Sequence, residues 1–238
     1  MATLVWPSAS CASLIPRGTP LPSEIVKINS TQPECSLISY VAEHIRNGQV
    51  LGMPTDTFYG LAADPYNLRA VDRVYEIKSR SHFKPLSLLI ASVDQAEDLA
   101  KPLPPEFYAL ARRFWPGPLT VIVQASPRLP LKVTANTGNI AIRVPAAEIP
   151  LAVIRKAGLP ITATSANLSG ATECTTAQAV REQLAERVSL IVDGGPSPRT
   201  VASTIVDLTV DEIGQPCWRI QREGAIPAHE IAETLGSK

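Results

Sequence analysis

The sequence predicts a mixed α/β (α+β) fold, in which strands and helices interleave along the chain. Apolar runs rich in β-branched residues alternate with segments of helical periodicity, which favours a sheet with helices packed against it. The 238 residues are 45% hydrophobic, which is enough to bury a sizeable core. No internal repeat or low-complexity segment interrupts this pattern. We therefore expect one twisted mixed sheet with packed helices in a single domain.

The first thirty-odd residues differ from the rest of the chain. They contain scattered prolines and serines and only short apolar runs. We expect a poorly ordered arm over residues 1–33, with one short strand at 25–28, followed by the folded domain over residues 34–238. The arm lacks the continuous apolar stretch of a secretory signal, although an organelle-targeting role stays open. No apolar run approaches the roughly 18 residues of a membrane-spanning helix, so we expect no membrane association.

Helical periodicity and proline breaks define the helices in chain order. We expect helices at residues 35–47, 68–78, 93–99, 105–114, 150–157, 175–187 and 228–235. Apolar runs bounded by turn residues define the strands. We expect strands at residues 50–53, 86–90, 119–123, 139–144, 159–164, 190–192, 203–208 and 217–221.

Composition excludes several classes of function. The formal net charge is zero, so the protein has no overall positive field with which to hold nucleic acid, and any basic function must be local. The four cysteines form no C-x-x-C pair, and three histidines are too few and too separated for a zinc site. Free thiols are typical of a cytoplasmic protein.

The region 50–85 carries the densest set of polar side chains. If the run after Pro54 stays extended, the hydroxyls of Thr55, Thr57 and Tyr59 share one face. A helical segment then leads directly into three cations, at Lys78, Arg80 and Lys84.

The spacing of these cations constrains the local geometry. Residues two apart on a helix do not share a face, so Lys78 and Arg80 reach one ligand only if the helix ends near Lys78. Pro85 keeps the preceding Lys84 in extended backbone. The alternative interpretation is a frayed, solvated helix end whose cations bind nothing.

A second polar cluster follows the strand at 159–164. Ser165 and Asn167 lie at its carboxyl end, where ligands commonly bind in open α/β sheets. The alternative is a turn cluster, since serine and asparagine also satisfy local backbone groups.

Two arginines interrupt apolar strands. Arg143 lies within Ile-Ala-Ile-Arg-Val, and its nearest acid in the sequence is Glu148, beyond Pro145. Arg222 adjoins Glu223, but neighbours on a strand face opposite ways. A cation in such a strand must reach solvent, pair with an acid or bind an anionic ligand, and a ligand carboxylate or phosphate is a natural partner for both arginines.

The cations suit a nucleotide triphosphate held by charge. Neither of the glycine-rich phosphate-binding motifs is present. Lys78, Arg80, Lys84 and Arg222 can neutralise the phosphates, with bidentate contacts from the arginines. The sequence offers no carboxylate cage for a metal, so we expect Mg²⁺ to be carried by the nucleotide's phosphates and water.

An ordered set of motifs resembles the YrdC-domain family and covers about residues 36–231. The motifs are PTDTFYGLAAD at 54–64, KSR at 78–80, KPL at 84–86, WPGPLT at 115–120, IAIRVP at 140–145, TSANLSG at 164–170, DGG at 193–195 and STIVD at 203–207. The resemblance implies a YrdC-like fold with a basic concave cleft. It also implies a threonylcarbamoyl-AMP synthase, which uses L-threonine, bicarbonate or CO2, and ATP for threonylcarbamoyladenosine modification of tRNA.

The resemblance also assigns residue roles by position in these motifs. It makes Lys78 and Arg80 catalytic residues that aid pyrophosphate departure. It assigns ATP binding to Lys78, Arg80, Lys84, Ser165, Asn167 and Arg222, and threonine binding to Thr57, Arg143, Ala163 and Ser203. No residue is assigned to a metal.

The chain departs from the family pattern in two places. Many relatives have proline where this chain has Ser81, and histidine where it has Leu89. The chain ends soon after Arg222, which implies the short form of the family without its additional C-terminal domain. Product release would then involve a partner, the downstream tRNA threonylcarbamoyl transferase complex.

Two other functions stay open. A YrdC-like module that binds double-stranded RNA or tRNA without synthase activity is one; the retained K-x-R and S-x-N motifs favour the enzyme. An accessory domain of the kind found in hydrogenase-maturation proteins is the other; the absence of zinc-finger-like cysteine pairs counts against it.

Overall fold

The computed structural model describes residues 23–209 and 217–236. Its helices are α1 (Cys35–Arg46), α2 (Leu68–Lys78), α3 (Val93–Leu99), α4 (Pro105–Phe114), α5 (Glu148–Ala157), α6 (Ala177–Leu184) and α7 (Ala228–Leu235). A 3₁₀ helix (Ala185–Arg187) continues α6. Every predicted helix is therefore confirmed, and the bounds shift by no more than about three residues because caps and frayed turns are not marked by periodicity.

The predicted strands are present in the predicted order, and one further strand, at 60–62, was not predicted. They are β1 (Glu24–Lys27), β2 (Leu51–Met53), β3 (Gly60–Ala62), β4 (Ser87–Leu89), β5 (Leu119–Gln124), β6 (Asn139–Arg143), β7 (Ile161–Thr162), β8 (Thr164–Ser165), β9 (Leu190–Asp193), β10 (Thr204–Asp207) and β11 (Arg219–Arg222). Strand β1 pairs in parallel with β9, so this part of the predicted arm belongs to a sheet. Residues 1–22 of the arm lie outside the described residues, whereas residues 28–33 are described and lead from β1 into α1. The division at residue 33 remains a prediction.

The mixed α/β class is confirmed, but the described strands form two sheets instead of one. The first sheet has the order β1-β9-β2-β3-β8, and the second has the order β11-β10-β5-β6-β4-β7; both contain parallel and antiparallel pairs. The single strand predicted at 159–164 is the point of difference. Its first part, β7, pairs with β4, and its last part, β8, pairs with β3. The chain therefore passes from one sheet to the other at Ala163.

Apolar side chains of the helices and sheets form the core. Helix α1 buries Ile38, Val41 and Ile45, and it packs against α5. Phe107 and Leu110 of α4 are likewise buried in the larger apolar cluster. No helix within the described residues is long and apolar enough to cross a membrane.

Helix α2 ends where the K-x-R spacing requires. Asn67 caps its first turn by accepting hydrogen bonds from the backbone N–H groups of Arg69 and Ala70. Ser79 follows Lys78 in the left-handed conformation, with φ 49°. The reversal takes Arg80 off the helix axis, so Lys78 and Arg80 both reach the region between the sheets. This confirms the prediction that the helix ends near Lys78.

The run 54–59 is not extended as expected. It bends at residues 56–58, because Thr55 Oγ1 accepts a hydrogen bond from the Thr57 N–H and donates one to the Phe58 carbonyl. The hydroxyls of Thr55 and Thr57 lie 3.2 Å apart. The Tyr59 hydroxyl instead donates to the Gly195 carbonyl. Two of the three expected hydroxyls therefore lie side by side, but the Tyr59 hydroxyl does not join them.

Candidate functional site

A cleft of about 570 Å³ lies over one face of the second sheet. Alternate residues of neighbouring strands form its floor, as the two-residue period of a strand dictates. The floor includes Ser87 and Leu89 of β4, Thr120 and Ile122 of β5, Ala141 and Arg143 of β6, and Ile205 and Asp207 of β10. The segment that crosses between the sheets, 163–165, forms a wall together with the loop after α2.

Most of the predicted site residues meet in this cleft. Those that line it are Thr57, Arg80, Lys84, Arg143, Ala163, Ser165, Ser203 and Arg222. Lys78 and Asn167 do not line it and lie directly behind Ser165. The two positions that depart from the family pattern separate: Leu89 lies on the floor, whereas Ser81 is exposed in the loop after α2.

Lys78 is a buried cation and not a solvated helix end. Lys78 is only 3% exposed. Its Nζ donates hydrogen bonds to the carbonyl oxygens of Ser165 (2.5 Å) and Asn167 (3.0 Å) and to Asn167 Oδ1 (3.1 Å). Burial, reinforced by the charge of Arg80, lowers the pKa of Lys78 to about 8. The alternative interpretation, a frayed and solvated helix end, is therefore wrong for Lys78.

Ser165 and Asn167 form the turn that Lys78 supports. Ser165 Oγ donates to Asn167 Oδ1 at 2.6 Å, and Asn167 Nδ2 donates to the Ala171 carbonyl at 2.5 Å. Asn167 is buried, and both the oxygen and the nitrogen of its amide form hydrogen bonds within the protein. The alternative interpretation of a turn cluster therefore fits Asn167, whose side chain bonds to nearby groups of the protein. Ser165, in contrast, faces the cleft.

Arg80 and Lys84 present positive charge to the cleft from the loop after α2. Arg80 Nη2 donates to the Pro85 carbonyl at 2.9 Å, and Nη1 lies 3.4 Å from Thr164 Oγ1. Its Nε is buried and has no hydrogen-bond partner within residues 23–209 and 217–236. Burial lowers the pKa of Arg80, yet an arginine stays charged. Lys84 is exposed at the mouth of the cleft.

Arg143 has an acid partner that the sequence did not reveal. Its Nη2 donates to Asp56 Oδ1 at 2.5 Å, Nη1 donates to Thr57 Oγ1 at 3.0 Å, and Nε donates to the Gly117 carbonyl at 2.9 Å. Asp56 is 2% exposed. Of the options that the sequence left open, pairing with an acid is the one observed, because the bend at 56–58 brings a carboxylate 87 residues away in sequence onto the guanidinium.

A second arginine shares the same carboxylate. Arg199 Nη1 lies 3.4 Å from Asp56 Oδ2, and its side chain is 45% exposed. Sequence reasoning missed both residues. The available signal for Asp56 was an acid placed between two threonines, just after a buried apolar strand. Arg199 lies in an irregular segment and had no such signal.

Arg222 and Ser203 form the far side of the cleft. Arg222 Nε and Nη2 donate to the Ser203 carbonyl at 3.1 and 2.8 Å, and Nη2 lies 3.2 Å from Ser203 Oγ. The Ser203 hydroxyl also lies 2.9 Å from Thr120 Oγ1. Glu223 accepts a hydrogen bond from the Ala228 N–H at the start of α7, and it is not within ion-pairing distance of Arg222.

One end of the cleft holds a polar cluster absent from the predicted site. Asp207 Oδ2 accepts from Arg219 and Gln221, and its Oδ1 accepts from Thr209. Burial raises the pKa of Asp207, but these hydrogen bonds outweigh burial and hold the pKa below its usual value. This carboxylate is therefore ionised and already paired at neutral pH.

The electrostatics of the cleft favour an anionic ligand. Arg80, Lys84 and Arg222 line it without a carboxylate within ion-pairing distance in the described part of the chain. Among residues 23–209 and 217–236, no three His, Cys, Asp or Glu side chains lie together as a metal site. The volume falls in the range of about 300 to 1,000 Å³ that is typical of small-molecule sites.

Known proteins with similar sequences share one family. The family model Sua5/YciO/YrdC, described as "Telomere recombination", matches residues 43–224. The threonylcarbamoyl-AMP synthase of Pyrococcus abyssi is 40% identical over 201 residues, covering 84% of this chain and 57% of that protein. The threonylcarbamoyl-AMP synthase of Bacillus subtilis is 41% identical over 200 residues, covering 84% of this chain and 56% of that protein. This chain thus spans a little over half the length of these two relatives.

A solved structure agrees with this similarity. The crystal structure of P. abyssi Sua5 complexed with L-threonine superposes with a TM-score of 0.84 at 38% identity, covering 90% of this chain and 61% of that chain.

Proposed function

The chain belongs to the Sua5/YciO/YrdC family, and from that membership we propose that it is a threonylcarbamoyl-AMP synthase, a nucleotidyltransferase. The proposed reaction joins L-threonine, bicarbonate and ATP to give threonylcarbamoyl-AMP, pyrophosphate and water. The product would supply threonylcarbamoyladenosine modification of tRNA. Two relatives named as threonylcarbamoyl-AMP synthases at about 40% identity support the assignment.

The observation that carries the proposal is a single cleft with two separate cationic regions. Arg80 and Lys84 line it on the loop after α2, beside Ser165, whereas Arg143 lies on the floor beside Thr57. A triphosphate suits the first region and an amino-acid carboxylate suits the second. The reaction requires both groups in one site.

Each predicted residue has a role in this proposal. Arg80, Lys84 and Arg222 neutralise the phosphates. Lys78 and Asn167 support the same subsite from behind Ser165, without lining the cleft. The Lys78 ammonium lies 3.4 Å from Ser165 Oγ, so its positive charge acts on the phosphates through that wall. Thr57, Arg143, Ala163 and Ser203 surround threonine, with Arg143 on its carboxylate.

The proposed chemistry needs positioning and charge more than a protein nucleophile. The threonine nitrogen captures CO2 or bicarbonate as a carbamate, and a carbamate oxygen then attacks the α-phosphorus of ATP. The bond from the α-phosphorus to the bridging oxygen breaks, and pyrophosphate leaves with its charge stabilised by Arg80 and Lys84. Cys174 is unsuited to nucleophilic attack, because burial raises its pKa to about 11.

Magnesium would be carried by the nucleotide. Two described carboxylates of the site are committed to protein partners: Asp56 to arginines, and Asp207 to Arg219 and Gln221. A third, Glu173, lines the cleft and acts by its charge on Lys78 and Arg222, but a single carboxylate is not a metal cage. A Mg²⁺ ion suits phosphate oxygens and water, and it would add charge neutralisation at the phosphates.

The proposal extends to location and partners. Free thiols at Cys35, Cys174 and Cys217 support a reducing, cytoplasmic compartment. The labile mixed anhydride of the product requires rapid use, which supports transfer to a downstream tRNA threonylcarbamoyl transferase complex.

Pyrophosphate release tests the function. We expect release from ATP only when threonine and bicarbonate are both present, and much less with serine or glycine. Equal release with the other amino acids would reject the substrate. Binding of double-stranded RNA or tRNA without any pyrophosphate release would favour the RNA-binding alternative.

A further inference from the structure

The proposed threonine subsite contains an electrostatic problem. Arg143 is the cation assigned to the threonine carboxylate, yet it already forms a buried ion pair with Asp56 at 2.5 Å. A paired guanidinium and carboxylate carry no net charge between them. A neutral pair in a desolvated position attracts an incoming anion far less than a free cation does.

Arg199 removes this problem. It contacts the second oxygen of the same carboxylate, at 3.4 Å from Asp56 Oδ2. Asp56 is the only carboxylate within ion-pairing distance of either arginine among the described residues. Two guanidiniums then share one carboxylate, so the trio of Arg143, Asp56 and Arg199 carries one net positive charge.

The local geometry lets this charge act in the cleft. Arg143 lines the cleft and uses one N–H of each of its nitrogens for Gly117, Thr57 and Asp56, so one N–H on each terminal nitrogen remains for a ligand. Arg199 lies close enough to oppose the charge of Arg143, since both Arg199 and Arg222 lower the pKa of Arg143 alongside the larger effect of burial. Asp56 and Arg143 are buried, so water screens their interaction weakly, whereas the 45% exposed Arg199 is partly screened.

We infer that Arg199 is a positioning residue of the threonine subsite, which acts through Asp56 to leave Arg143 free to bind a carboxylate. This inference rests on the proposed function. Because Arg199 forms an ion pair with one oxygen of Asp56, the negative charge of this carboxylate is shared between two arginines. The subsite therefore selects an amino acid with a free carboxylate, and Arg199 contributes to that selection without lining the cleft.

The alternative is a purely structural role, in which the ion pair only holds the segment around Arg199 against the bend at 56–58. Half-exposed pairs of this kind contribute little to stability. The chain offers a matched control at Arg113, whose Nη2 lies 3.4 Å from Glu233 and whose side chain is 43% exposed. Arg113 lies on α4 and contacts α7, and it does not line the cleft.

The test compares Arg199→Gln, Arg199→Lys and Arg113→Gln in the full chain. Threonine binding is measured by calorimetry without ATP, and the KM values for threonine and ATP are measured from pyrophosphate release. We expect Arg199→Gln to weaken threonine binding roughly three- to tenfold, with the KM for ATP nearly unchanged. This loss is smaller than that of a fully buried charged contact, because Arg199 is half-exposed. Arg199→Lys restores most of the affinity because it keeps the charge.

Salt provides a second readout that a purely structural role would not alter. Threonine affinity of the unmodified protein should fall with added salt more steeply than that of Arg199→Gln, because the variant lacks the extra charge. Arg113→Gln should match the unmodified protein in both measurements.

Three results would overturn the inference. They are unchanged threonine affinity in Arg199→Gln, equal weakening of threonine and ATP, and an Arg199→Lys variant as weak as Arg199→Gln. Failure of the unmodified chain to bind threonine would instead reject the proposed function, and this inference with it.

Discussion

Arg143→Lys tests the proposed threonine subsite directly. Lysine keeps the positive charge that faces Asp56 but has a single nitrogen in place of the planar fork. It therefore cannot reproduce the contacts with Gly117 and Thr57, at 2.9 and 3.0 Å, while also meeting Asp56 and a ligand. We expect a specific loss of threonine binding together with a measurable loss of stability.

The size of both effects follows from these contacts. A hydrogen bond to a charged group contributes about 1.5 to 3 kcal/mol, so losing one of two contacts to the threonine carboxylate should weaken threonine roughly ten- to a hundredfold. The buried Gly117 carbonyl loses its side-chain donor, at a cost of about 1 to 3 kcal/mol in the free energy of unfolding. ATP affinity should change much less, because Arg80 and Lys84 are untouched.

Separate titrations of threonine and ATP decide the matter, with denaturant unfolding of the same samples. Arg113→Lys, in an ion pair on α4 outside the cleft, controls for a general arginine-to-lysine effect. If the affinity for ATP falls as much as the affinity for threonine, or if only the affinity for ATP falls, Arg143 does not bind the threonine carboxylate.

The other predictions concern the phosphate side of the cleft. Lys78→Met should lower the free energy of unfolding by about 2 to 4 kcal/mol, because acceptors on Ser165 and Asn167 lose a buried charged donor; an unchanged denaturant midpoint would contradict the burial of this side chain. Because the pKa of Lys78 is about 8 when folded and 10.5 when unfolded, the unfolded chain binds more protons between these values. Stability of the unmodified protein relative to Lys78→Met should therefore rise from about pH 8 to 10.5, while ATP affinity should fall through about pH 8; flat difference curves would refute the assignment. Lys84→Ala should weaken ATP about three- to tenfold with a change in stability within about 0.5 kcal/mol, since this lysine is exposed, and a large fall in melting temperature would assign it a structural role instead.

Local chemistry accounts for the parts of the site that sequence reasoning located. The end of α2 at Lys78 follows from the cations being two apart and from Pro85, and the structure has this end with Ser79 in the left-handed conformation. The floor of the cleft follows the strand period, so Arg143 and Ala141 share a face as their spacing requires. Most predicted site residues therefore line one cleft, although their roles there remain proposals.

Sequence reasoning failed where partners come from distant segments. The number of sheets depended on β7 and β8 pairing with different strands, and one apolar run of 159–164 has no local signal for a change of sheet at Ala163. The bend at 56–58 came from threonine hydroxyls competing for backbone groups, a choice that β-branched composition alone does not decide.

The sequence by itself determined the elements, the class of fold, the family and the cations that the cleft presents, because periodicity, proline breaks and motif order act over short stretches of chain. Only the tertiary structure decided the charge state of the site. In the folded protein Lys78 is buried behind Ser165, and Asp56 forms ion pairs with both Arg143 and Arg199. Coulomb energy and desolvation depend on distance in space and on exclusion of water, and neither is a property of neighbouring residues in the chain.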